Sequence, residues 1–232
     1  MKLRHTLLGL LALAGTASTQ AEVLDIEVVN LTHGIYFTPI LVAAHDGDVA
    51  LFEPGASATA ELAAMAEGGD ISGLSANVMA AGGAVVENPA EGLLGPAATV
   101  MIEDMDTGDL GYLSLTAMLL PTNDGFVGMN SWAIPEIPGT YTVYLNAYDA
   151  GTEANDEIVN GGGMPGVPGI PVNPGEDGGS GGTGVTMEET NPMVHIHRGN
   201  LGDTMADGGP SDLDSRIHRW LNPVAKLIIT VE

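Results

Sequence analysis

The chain has 232 residues, enough for one domain with a full core, and sets thirty Asp and Glu against six Lys and Arg, a net charge of −24. From His5 to His197 there is no Lys or Arg, which excludes binding to nucleic acid or to an anionic membrane through a basic patch. Cys is absent, so the fold must rest on a core, a metal or both, and not on disulfides.

Residues 1–21, MKLRHTLLGLLALAGTASTQA, read as a secretory signal peptide. Lys2 and Arg4 precede a short apolar run, and small residues follow up to Ala21. That run is too short to span a bilayer, and no later segment is longer and as apolar. A mature domain over 22–232 is expected, secreted or periplasmic, with no membrane-spanning segment. It keeps only Arg198, Arg216, Arg219 and Lys226 as basic residues. Solubility in a salty medium and neutralisation of some carboxylates by divalent cations both fit such a charge.

VLDIEVVNL (23–31) alternates apolar and polar residues and predicts a strand. GIYFTPILVAAH (34–45) is a second extended stretch, where Pro39 marks an edge or a bend. Two short helices follow over 57–69 and 70–83, with Ser57 and Asp70 as caps and Gly pairs as stops. Strands resume at 98–105, 112–120, 126–134 and 140–148, and the last lies at 224–231. The turn signals DTGD (106–109), TNDG (122–125) and IPGT (137–140) separate them. This pattern predicts an all-β fold, an antiparallel β-sandwich with a short helical insertion. Residues 161–184 hold eleven Gly and four Pro in 24 positions, which predicts a long flexible Gly/Pro-rich loop.

Several stretches together resemble the spondin N-terminal domain. These are Thr38-Pro39, His45, Phe52 with Gly55 and Ala58, and the helix end Ala66-Glu67-Gly68-Gly69. LLPTNDGFVGMNSW (119–132), YDAGTEAND (148–156) and HRWLNPVAKLIITV (218–231) add to the match. The resemblance implies a C2-like β-sandwich on the extracellular side, with one Ca²⁺ held between loops by three carboxylates. Carried over, the ligands are Asp124, Asp149 and Glu153, the last standing where the family has Asp. NPMVHIHRG (191–199) and the Gly/Pro-rich loop have no clear counterpart in animal members of that family.

By chemistry alone, Asp149 closes a strand, Ala150-Gly151 supplies a turn, and Glu153 folds back beside it. Asp124 sits in a turn that a sandwich can bring to the same end. Spacing by itself leaves both a solvated acidic rim and a Ca²⁺ site open. The acids of DMDTGD (104–109) read as a polar turn. His195 and His197 alternate on one face of any strand, a pattern that can hold Cu²⁺ or Zn²⁺ and equally that of hydrogen-bonded surface histidines. No GxSxG elbow occurs and only two Trp are present to stack a sugar, so no catalytic activity is expected. The expected function is a secreted Ca²⁺-binding module for adhesion or matrix contacts, whose partner is an extracellular protein or glycan. The alternatives are a copper- or zinc-binding protein using His195 and His197, and a subunit of an extracellular structural assembly.

Overall fold

A computed structural model describes residues 22–164, 166–176 and 178–232. The signal peptide expected at 1–21 lies outside them. In chain order the elements are β1 (Val23–Asn30), β2 (Tyr36–Phe37), β3 (Leu41–His45), α1 (Ala60–Gly68), α2 (Ser72–Ala80) and β4 (Ala84–Glu87). There follow β5 (Thr99–Asp106), β6 (Tyr112–Leu120), β7 (Gly125–Ala133), β8 (Gly139–Asp149), β9 (His195–Ile196) and β10 (Ala225–Val231). The strands run in the order β4-β3-β6-β7-β8-β10-β1-β5, with β2 on β6 and β9 on β8. Every strand pairing is antiparallel. No helix among the described residues is long and apolar enough to cross a membrane.

The sandwich closes through β8. Its first seven residues pair with β10, and Asn146–Asp149 pair with β7, so one strand serves both halves of the folded sheet. β1 and β10 alternate buried with partly exposed residues, the mark of strands with one wet face. Ile26, Val28, Leu227 and Ile229 meet Val42, Leu115 and Val127 from the opposite half.

β3 and β6 differ because they are covered on both faces. Behind them the helical insertion lays Leu62, Met65 and Val78 on Leu41, Met118 and Phe126. Each fully buried side chain of this kind stabilises by about 1.5–3 kcal/mol. The continuous apolar runs LVAAH and SLTAMLL are therefore strands with two dry faces.

The bend expected at Pro39 divides the second stretch into β2 and β3. The expected helix caps needed correction. The cap of α1 is Thr59, whose Oγ1 accepts from the Leu62 amide, and not Ser57. Asp70 accepts from the Ser72 amide but precedes the N-cap of α2, which is Ile71. β4 and the two-residue β9 are too short and too mixed to stand out by period. The Gly/Pro-rich segment contributes buried Ile170 and a parallel bridge from Val159 to Ile170. Nearby acids hold the chain by accepting backbone amides. Asp212 accepts from Val159 and Gly182, and Glu157 from Leu201 and Gly202.

Candidate cation-binding site

Asp124 ends the TNDG turn, and Thr122 shapes that turn by donating to the Leu119 carbonyl and accepting the Gly125 amide. Gly125 stands opposite Asp149 in the β7–β8 ladder, which brings the turn beside the end of β8. The Ala150 amide then donates to the Asp124 carbonyl (3.2 Å). At Gly151 the chain turns back with φ +71°, and an added Cβ would sit 2.7 Å from the Met193 amide nitrogen. Only glycine suits that position. The turn delivers the amides of Thr152 and Glu153, with the Thr152 hydroxyl, to Asp124 Oδ2 at 2.8, 3.1 and 3.1 Å.

Asp124 is fully buried, and its second oxygen, Oδ1, finds no hydrogen-bond partner among the described residues. Burial, and then the charge of Asp149, push the Asp124 carboxyl up to about 7. Asp149 is 2% exposed and accepts from the Gly151 amide at Oδ1 and from the Asn155 side chain at Oδ2. Two buried carboxylates side by side, one with an unused oxygen, form an oxygen site suited to a hard divalent cation.

Glu153, the third expected ligand, lies in the same turn. Glu153 orients Asp124 through its amide, but its carboxylate accepts from the Gly169 amide at 2.9 Å and is 5% exposed. Burial pushes Glu153 up to about 7, opposed by the Gly169 amide and reinforced by the charges of Glu67 and Asp156. Its Oε1 is buried and unpartnered. Among the described residues no three His, Asp or Glu side chains form a metal-binding group. Asp124 thus lies beside Asp149, and Glu153 joins them through its amide while its carboxylate holds the Gly169 amide.

The histidines lie beside the first pair. His195 faces Asp149 across the β8–β9 ladder, with Nε2 3.8 Å from Asp149 Oδ2, and its Nδ1 contacts the Met193 carbonyl. His197 is buried against Trp220, and burial presses it down to about 4, so its ring is neutral. Its Nδ1 accepts from the Gly199 amide at 2.9 Å, which puts the ring proton on Nε2. A protonated nitrogen has no lone pair for a metal, and this Nε2 is buried without a hydrogen-bond partner among the described residues.

Sequence reasoning missed two buried acids. Glu157 accepts from the Leu201 and Gly202 amides and the Ser211 hydroxyl and is fully used as a staple. Glu67 lies in the last turn of α1, where a negative charge opposes the helix dipole. That misplacement was a signal available in the sequence. The family model described as Spondin_N matches residues 30–158, a span that holds Glu67, Asp124, Asp149 and Glu153 but not His195 or His197. No curated protein matches the chain.

Proposed function

The chain belongs to the spondin N-terminal domain family, and from that premise we propose a non-catalytic extracellular module whose loop end is closed by Ca²⁺ between Asp124 and Asp149. The observation that carries the reading is Asp124 itself, fully buried, charged on ionisation and left with one unpartnered oxygen beside a second carboxylate. A buried charge without compensation is expensive, and a divalent cation supplies that compensation. Glu153 serves this site through its amide, by fixing the orientation of Asp124. With Ca²⁺ bound, the 122–125 and 149–153 turns become one rigid platform. Adhesion or matrix contact with an extracellular protein or glycan is the role such a platform suits.

Thermal melts in EGTA and after restoring Ca²⁺ test the reading. At a Ca²⁺ concentration a hundred times Kd, the folded state gains about 2.7 kcal/mol, which raises Tm by roughly 5–10 °C for a domain of this size. Asp124→Asn is expected to abolish that rise. A wild-type melt indifferent to Ca²⁺ sinks the proposal. The copper or zinc alternative requires the His197 ring to give up the Gly199 bond. Cu²⁺ titration of wild type against a His195→Ala/His197→Ala double variant is expected to show no difference.

A further inference from the structure

The stretch NPMVHIHRG (191–199) lies beyond residue 158, where the family match ends, yet it crosses the end of the fold that holds Asp149. Val194 fixes it on one side. Its side chain is buried in the cluster of Phe52, Phe126 and Ala150. Its carbonyl accepts the Gly55 amide and its own amide donates to the Ala56 carbonyl, both at 2.8 Å. The Ser57 hydroxyl adds a contact to the Met193 sulfur at 3.3 Å. On the other side the backbone of 191–193 packs on Gly151, where a Cβ would lie 2.7 Å from the Asn191 oxygen and the Met193 nitrogen alike. His195 then stands opposite Asp149 in the β8–β9 ladder, with Nε2 3.8 Å from Oδ2. Residues 191–196 are thus a strap laid from the loop before α1 across the turn that carries Asp149.

Its two ends are held unequally. At His197 the chain is fixed, because the amide donates to the Ala147 carbonyl (3.1 Å), the ring is buried against Trp220 and Nδ1 accepts the Gly199 amide. Before Val194, residues 186–193 make no backbone-to-backbone hydrogen bond among the described residues, and all of them but Glu189 are exposed. Segments with so few buried contacts open locally far below the cost of global unfolding. Something must open here, since Asp124 and Asp149 are both buried and Asp149 Oδ2 is held by Asn155 and faced by His195. Close-packed atoms leave an ion no path to those oxygens.

We propose that the 191–196 strap is the gate of the Asp124–Asp149 position, lifting at Val194 about a pivot at His197 and setting the rate at which a cation enters and leaves. This gate presupposes the cation reading given above. It gives the two histidines a task without metal ligation, His197 as the pivot and His195 as the part that closes over Asp149. One opening serves both directions, so a weakened strap speeds entry and exit alike and leaves Kd nearly unchanged.

Three measurements test the gate. Release of Ca²⁺ is timed by stopped-flow mixing with excess EGTA, equilibrium dialysis gives Kd, and amide exchange in EGTA follows Gly55 and Val194 with no ion present. In wild type those two amides are expected to exchange faster than the β8–β10 ladder. Val194→Ala is expected to release Ca²⁺ and to exchange the Gly55 amide about tenfold faster, with Kd within about twofold of wild type. Ser57→Ala leaves the core untouched and should move both rates the same way by about twofold, which keeps the test open where Val194→Ala fails to fold. Release unchanged in the folded variants overturns the gate, and so do Gly55 and Val194 amides as slow as the ladder. Faster release with Kd raised by the same factor overturns it too, because the strap then belongs to the binding contacts. All three results leave the cation reading standing. A wild type that binds no Ca²⁺ in dialysis overturns that reading and the gate with it.

Discussion

Asp124 ties the stability of the fold to pH through its protonation. Its carboxyl ordinarily titrates near 3.8 and is raised to about 7 in the folded protein, by burial first and Asp149 second. The folded state therefore holds the proton more tightly than the unfolded chain. Its contribution is complete below about 4 and is lost as the pH rises through about 7. His197 acts in the opposite sense, favouring the fold above 6.5 and losing that contribution as the pH falls toward 4. Urea melts in EGTA of wild type and Asp124→Asn isolate the first effect. The stability difference between them is expected to move against wild type between pH 4 and pH 7, and a flat difference would show that the carboxyl is not perturbed. Because Ca²⁺ competes with that proton, its affinity should rise across the same window.

Among the elements, α1 decides most. Its residues Leu62 and Met65 fill the space behind β3 and β6, and its C-terminus presents Glu67 to the loop. Met65→Ala is expected to cost about 2–5 kcal/mol in urea unfolding, with the Ca²⁺ response of Asp124 retained. The turn after β8 is the second sensitive place. Gly151→Ala forces a side chain to φ +71° against the 191–193 backbone, so it should destabilise by more than 1 kcal/mol and weaken Ca²⁺ binding together. A variant with normal Ca²⁺ affinity would detach this turn from the site. β9 owes its existence to the same neighbourhood, since two residues pair only because β8 supplies an edge beside Asp149.

At the scale of the whole molecule, charge is managed without cations from the chain. The one Lys or Arg ion pair among the described residues is Arg216 with Asp214, two positions apart and on the surface. Other carboxylates accept backbone amides, as Glu157 and Asp212 do in tying down the Gly-rich half. A net charge of −24 still repels itself through water. Raising NaCl from about 0.01 M to 1 M shortens the screening length from about 30 Å to 3 Å, so Tm in EGTA is expected to climb with salt. A salt-independent Tm would show that self-repulsion is not limiting.

The sequence by itself determined the strands with a clean period, the two helices, the Gly turn at 150–151 and the placing of Asp124 and Asp149 beside turns. Each is written locally, in alternation, in a stop signal or in a carboxylate beside a turn. It also determined the family, because motif order and spacing survive in a linear string. Only the tertiary structure decided that the Glu153 carboxylate accepts the Gly169 amide, since that choice depends on a loop amide 16 residues further along the chain. It decided likewise that the proton of His197 lies on Nε2, through a bond from Gly199 that spacing does not record. A side chain's direction is set by what desolvates it and what donates to it, and in this protein those partners come from distant parts of the chain.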